Sequence, residues 1–111
     1  SQKLMAGVFL NRLRSGIALG SDVTYQYIAD ITGQERSAFI DSPYNTRKYP
    51  GLPPGPISNV TKSSLQAVAF PAQTDYLFFV AGDDGKIYFS KTQAEHDELA
   101  RKYCIKLCSV Y

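Results

Sequence analysis

Apolar residues along the chain first recur at helical spacing. Met5, Val8, Phe9 and Leu13 fall on one face of a 3.6-residue period and Gly16 supplies a stop, so a first helix is expected from Gln2 to Ser15. Ser21 or Asp22 can cap a second helix, which carries Val23, Tyr27, Ile28 and Ile31 and ends at Gly33. The pattern then breaks. From Gln34 to Val60, Pro43, Pro50, Pro53, Pro54 and Pro56 with Gly51 and Gly55 forbid a long helix or a central strand, because proline fixes φ and offers no amide donor. A third helix is expected over about Lys62–Phe70, capped by Asn59 or Thr61 and closed by Pro71.

The period changes again at Tyr76. Tyr76–Ala81 is apolar on both faces and predicts a central strand. Asp83-Asp84-Gly85 predicts a hairpin turn, since Asp-Gly supplies positive φ readily, and Lys86–Ser90 returns as the partner strand. Thr92 and Glu95 form a capping box, the threonine taking the N3 amide while the glutamate reaches back. The last helix is expected from Gln93 to about Lys106. The order defines an α+β fold: helices packed on a small antiparallel sheet, with a long Pro/Gly-rich loop. Structureless loops of that length in compact domains are usually functional.

Composition narrows the possibilities. A formal charge of +2, with scattered Lys and Arg, is too weak for a phosphate-tracking stripe and argues against a nucleic-acid partner. No apolar run approaches the roughly 18 residues needed to cross a bilayer, and no cleavable leader is visible. The chain opens inside a helical pattern, so its start is expected to fall within a longer domain. Cys104 and Cys108 sit in a short tail, and an i,i+4 pair on a helix would have Cα atoms about 6 Å apart but poorly aligned Cβ vectors. A disulfide there requires the helix to fray, and the plainer reading is two thiols, unpaired or incidentally oxidised.

Few residues offer chemistry by themselves. There is no Gly-x-Gly-x-x-Gly or Walker loop, and a single His96 makes no metal centre, so no cofactor is expected. No serine stands on a Gly-x-Ser-x-Gly elbow. Glu95 has a capping role, while Glu98 and Glu35 read as solvated charges, leaving no convincing catalytic carboxylate. The informative stretch is the loop. Tyr44 offers a flat face for the C–H side of a sugar ring, Asn45 and Thr46 offer polar groups for hydroxyls and acetamides, and Gly55 admits close backbone approach. An ordered turn that merely covers the core is the competing reading.

Three groups of motifs resemble the MltG/YceG-like family of endolytic murein (peptidoglycan) transglycosylases. They are Ala6-Gly7-Val8-Phe9-Leu10-Asn11-Arg12-Leu13 with Ser21-Asp22-x-Thr24-x-x-Tyr27; Asp41-Ser42-Pro43-Tyr44-Asn45-Thr46 with Gly51-Leu52-Pro53-Pro54-Gly55-Pro56-Ile57-Ser58-Asn59; and Pro71-Ala72-x-Thr74-Asp75 through Ala81 with Phe89-Ser90-Lys91-Thr92-x-x-Glu95-His96. The resemblance covers about residues 4–98. It implies that residues 1–111 are part of a YceG-like catalytic domain, with 99–111 a helical tail. It further implies cleavage of glycan strands by one glutamic acid, which protonates the glycosidic oxygen and then acts as base on the C6 hydroxyl of the same N-acetylmuramic acid, leaving a 1,6-anhydro end. A single carboxylate suffices because the nucleophile belongs to the substrate.

In the family that glutamate precedes the Asn-Arg-Leu helix, so no residue of this chain matches it, and catalytic residues are expected upstream. Ile87 stands where relatives often carry a histidine. The resemblance makes Asp22, Thr24, Tyr27, Tyr44, Asn45, Thr46, Pro54, Gly55 and Asn59 the candidate substrate-binding wall. Asn11 and Arg12 are expected to be structural, Asn11 tying helix to loop, and His96 to be a packing residue. The implied partners are peptidoglycan glycan strands and cell-wall synthesis proteins. The implied location is the extracytoplasmic face of the bacterial inner (cytoplasmic) membrane, reached through an N-terminal anchor outside this chain. The alternative is a non-catalytic glycan-binding or scaffold module.

Overall fold

A computed structural model describes residues 2–110, with side chains through Cys108. It is an α+β fold of four helices and a two-stranded antiparallel sheet: α1 (Gln2–Ser15), α2 (Asp22–Thr32), α3 (Lys62–Ala69), β1 (Phe78–Ala81), β2 (Ile87–Ser90) and α4 (Gln93–Tyr103), then a short 3-10 helix at Leu107–Val110. The chain divides into two compact units, residues 2–11 with 61–110, and residues 12–60. The division falls within α1.

In the first unit the sheet carries a helix on each face. β1 and β2 pair Phe78 with Ser90, Phe79 with Phe89, Val80 with Tyr88 and Ala81 with Ile87. Alternation sends Phe79 and Phe89 to one side, where Phe9 of α1 meets Phe79 edge-on with ring centroids 5.5 Å apart. Phe78 and Tyr88 point to the other side, onto α4. Phe78 stacks on His96 at 5.3 Å, and Tyr88 stacks almost parallel on Tyr103 at 4.0 Å. This corrects the expectation of a central strand. Among the described residues β1 has one strand neighbour, and its two apolar faces are accounted for by two helices rather than by a wide sheet.

α1 lies against the segment that leads into β1. Ala72 N donates to Lys3 O at 3.0 Å, and Asn11 Nδ2 donates to Thr74 O at 2.6 Å and Tyr76 O at 2.9 Å. Asn11 therefore ties helix to loop, satisfying two carbonyls that lie outside the strand ladder. Gly7 is the point of closest approach: a Cβ there would sit 2.4 Å from Ala72 O. α3 is capped by Thr61, whose hydroxyl accepts from Ser64 N at 3.1 Å, and it buries Ala67 while leaving Leu65 and Val68 exposed.

The last helix is shorter than its sequence pattern. Thr92 caps it as expected, accepting from Glu95 N at 3.2 Å, but the Glu95 carboxylate reaches Lys91 N at 3.4 Å. α4 ends at Tyr103 instead of near Lys106, with Cys104 as its C-cap, and Cys104 and Cys108 form a disulfide with Cα atoms 5.4 Å apart. A competing partner ends the helix. The Asp83 carboxylate in the hairpin turn accepts from Ile105 N at 2.9 Å, Lys106 N at 3.0 Å and Leu107 N at 3.1 Å. Asp83 N in turn donates to Tyr103 O at 2.7 Å, taking a carbonyl that a continuing helix would use.

The second unit holds the end of α1, α2 and the proline-rich loop. Gly16 (φ 70°) ends α1 and Gly33 (φ 71°) ends α2, its amide returning to Ala29 O. Arg12 Nη1 donates to Ala18 O at 2.7 Å and Leu19 O at 3.2 Å, fixing the turn between the two helices. Arg12 is thus structural, as expected. No helix among the described residues is long and apolar enough to cross a membrane.

Candidate functional site

All nine candidate residues fall in the second unit, at the start of α2 and in the loop that follows it. Ser21 occupies the N-cap position without a capping side-chain bond. Its backbone is held by the loop instead. Ser21 N donates to Thr46 Oγ1 at 2.9 Å, Thr24 Oγ1 donates to Ser21 O at 2.6 Å, and the two threonine oxygens are 2.9 Å apart. Thr46 N reaches Thr24 Oγ1 at 3.1 Å, and Gly20 N reaches Thr46 O at 2.9 Å. Thr24 and Thr46 are only 3 % and 1 % exposed. Their hydroxyls knit the loop onto the helix start and face away from solvent.

Asn45 lies deeper still, fully buried. Its Nδ2 donates to Ala38 O at 3.0 Å and Ile40 O at 2.8 Å, and its Oδ1 accepts from Arg47 N at 3.1 Å. Both amide hydrogens are engaged, so this side chain has no donor left for a ligand hydroxyl or acetamide. The sequence reading gave Thr24, Asn45 and Thr46 a ligand-facing role. In the folded chain their polar atoms bond to the loop's own backbone and to Ser21 at the start of α2, because a loop without a regular ladder must find internal partners for its buried amides and carbonyls.

What this scaffold displays is different. Tyr44 and Tyr27 are half-buried neighbours, with ring centroids 5.5 Å apart and planes inclined by 40°. The Tyr44 hydroxyl lies over Gly55, where a Cβ would come within 3.1 Å of it. Glycine at this position lets the second half of the loop fold back against the first. Pro54 and Asn59 are exposed in that same half.

Asp22, in the first turn of α2, pairs with Arg47 Nε. Its carboxylate side chain is 16 % exposed and that of Arg47 is 43 % exposed, so the pair sits at the surface of the loop. Burial lowers the pKa of Arg12, and repulsion from Arg47 lowers it further. Asp41 accepts from the Tyr49 hydroxyl, with Lys48 Nζ 3.5 Å away. Those contacts hold the Asp41 carboxyl below the ordinary carboxylate range, the tyrosine hydrogen bond contributing most. Sequence alone assigns no site role to Arg47, Tyr49 or Asp41, although Asp41 stands within the family motif. The signal available was an acid and a base flanking Tyr44-Asn45-Thr46 within the same motif.

The three glutamates stand apart from this arrangement. Glu35 and Glu98 are exposed, and Glu95 belongs to the cap of α4. No group of three or more His, Cys, Asp or Glu among the described residues is arranged to hold a metal ion.

The chain belongs to the YceG-like family, whose pattern matches residues 1–102. Two bacterial relatives carry the name endolytic murein transglycosylase. The Bacillus subtilis protein is 44 % identical over 103 residues, covering 89 % of this chain and 28 % of its own length. The Streptococcus pneumoniae protein (strain D39) is 36 % identical over 105 residues, covering 86 % of this chain and 19 % of its own. The crystal structure of a YceG-like protein from Listeria monocytogenes superimposes with a TM-score of 0.78 at 46 % identity, covering 87 % of this chain and 33 % of that one. The chain thus spans about a fifth to a third of the length of these relatives.

Proposed function

We propose that this chain is the glycan-holding part of a peptidoglycan lytic transglycosylase, an endolytic enzyme that cleaves glycan strands to leave 1,6-anhydro-N-acetylmuramic acid ends. The observation that carries the reading is the Tyr27–Tyr44 pair, beside a loop whose buried Asn45 and Thr46 side chains bond to its own backbone and to the start of α2. Two tilted aromatic faces beside a glycine suit the C–H side of pyranose rings. Asp22 with Arg47, and Asn59 beyond Pro54 and Gly55, supply polar groups for hydroxyls and acetamides. Thr24, Asn45 and Thr46 act one step back, holding Tyr44 in place. The proton donor is a glutamic acid upstream of Ser1, and the parent protein works at the extracytoplasmic face of the membrane, beside cell-wall synthesis proteins.

One observation favours a second reading, a glycan-binding or scaffold module without cleavage. The glutamates in hand are exposed or engaged in a cap, and neither setting makes a buried general acid. Intact sacculi treated with the protein at its full natural length separate the two. Products with 1,6-anhydro ends, identified by mass spectrometry, are expected; retention without cleavage supports the scaffold, and reducing-end products alone would sink the lytic mechanism. On the 111-residue chain, Tyr44→Ala is expected to weaken retention of amidase-stripped glycan strands by on the order of tenfold, the worth of one lost ring-stacking contact.

A further inference from the structure

The C-terminal tail and the hairpin turn of the first unit meet in a cluster that the glycan site does not use. Three consecutive amides, those of Ile105, Lys106 and Leu107, converge on one carboxylate, Asp83. The residues that supply them are bracketed by the Cys104–Cys108 disulfide. A concave run of amides is a ready anion cradle, but a five-residue peptide holds that shape only when something closes it. Here the disulfide closes it. The turn is committed to the contact from its own side as well: Asp83 N donates to Tyr103 O, and Gly82 is packed so tightly that a Cβ would lie 2.8 Å from the Tyr88 ring.

We propose that Cys104–Cys108 is a thiol–disulfide exchange site, and that its reduction releases the tail from Asp83. Accessibility sets the direction of attack. Cys104 is 4 % exposed, whereas Cys108 is half-buried, so an incoming thiolate reaches Cys108 Sγ. Its sulfur bonds to Cys108, the S–S bond breaks, and Cys104 leaves as a thiolate that takes a proton from solvent. The second thiol of a dithiol reductant then loses its proton and attacks the sulfur joined to Cys108. Cys108 departs and is protonated, and the reductant leaves as its own disulfide. The five-residue ring opens, the three amides lose their fixed spacing, and the Asp83 carboxylate exchanges them for water. A carboxylate on the sheet's turn is thereby linked to the redox state of the tail.

Hydrogen exchange on the full chain, oxidised and then reduced in place with dithiothreitol, tests this directly. Exchange at Ile105, Lys106 and Leu107 is expected to quicken by on the order of tenfold or more, from the ring entropy that reduction restores to the open tail. Amides of Val80 and Tyr88 in the strand ladder should keep their rates. The amides of Lys106, Leu107 and Ile105 hold the Asp83 carboxyl below the ordinary carboxylate range, and carbon NMR should show it titrating nearer that range after reduction. Asp83→Asn in the oxidised chain should also speed exchange at the three amides while the disulfide, checked by thiol labelling, persists. Unchanged tail exchange on reduction would overturn the proposal, and so would wild-type protection in Asp83→Asn. Loss of protection in β1 and β2 along with the tail would make the disulfide a staple of the whole unit, and would equally refute it.

Discussion

Replacing Asn45 with alanine isolates the loop's internal support. The side chain is fully buried and makes three hydrogen bonds, to Ala38 O, Ile40 O and Arg47 N. Each such bond contributes about 1 kcal/mol net, and carbonyls left without partners cost more when water cannot reach them. Ala38 and Ile40 are half-buried, so water replaces part of the loss, while the emptied volume adds a cavity cost. The sum is about 2–4 kcal/mol, a large fraction of a small domain's stability. Urea unfolding followed by far-ultraviolet circular dichroism should show the midpoint fall by on the order of 1 M or more. Asn59→Ala, at an exposed position in the same loop, is the control and should stay within about 0.5 kcal/mol of the parent. An Asn45→Ala midpoint equal to that of the parent chain would refute the scaffold assignment. So would an equal loss in both variants, since burial would then explain nothing.

Two further outcomes follow from the first unit. Gly7→Ala improves intrinsic helix propensity by about 1 kcal/mol, yet should destabilise, because its Cβ would stand 2.4 Å from the Ala72 carbonyl oxygen and neither backbone can yield cheaply. A melting temperature lower by roughly 5–15 °C is expected, and an unchanged or raised one would deny the close approach. The second concerns Asp84, whose carboxylate accepts from the Tyr88 hydroxyl at 2.5 Å and from Lys86 N at 3.0 Å. The tyrosine bond contributes most to lowering the Asp84 pKa, and the same bond pushes the Tyr88 pKa up to about 12. The stabilisation from the lowered carboxyl is complete above the ordinary value of 3.8 and vanishes as pH falls through the folded value. That from the raised phenol is complete below the ordinary value of 10.0 and vanishes as pH rises through about 12. Tyrosinate absorbance should show Tyr88 ionising late, and Asp84→Asn should return it toward the ordinary range; no difference between the two chains would reject the pairing.

Much of the fold was legible because local signals agreed with the tertiary structure. The bounds of α1 and the Gly33 cap of α2 came from spacing and glycine alone. The end of α4 did not. Residues 104–106 continue a helical pattern, and what stops the helix is Asp83, about twenty residues upstream, drawing off the amides of Ile105, Lys106 and Leu107. The disulfide was obscured for the same reason, since two cysteines at i,i+4 can bond only after the helix has already ended. β1 was misread as central because apolarity on both faces records burial, and helices on both faces produce it as well as neighbouring strands do.

The site divides along a similar line. The loop's composition marked it as a place for ligand contact, but that composition also restricts which residues can make one. Five prolines remove five amide donors from residues 34–60, and the irregular backbone offers no ladder to pair the carbonyls that remain. Side-chain donors must fill that role, and short ones close to the backbone do so best. Ser42, Asn45 and Thr46 of the loop and Thr24 of α2 are such residues, and all four are buried. Sequence cannot separate a polar group that serves the loop from one that serves a ligand, because both answer the same shortage of partners. Burial separates them. Tyr44 satisfies no backbone group with its ring, which stands beside Tyr27 with its hydroxyl over Gly55, and it is half-buried where the asparagine and the threonines are buried. The glycan-binding reading therefore rests on the aromatic pair, with the asparagine and the threonines as the reason that pair has a fixed place.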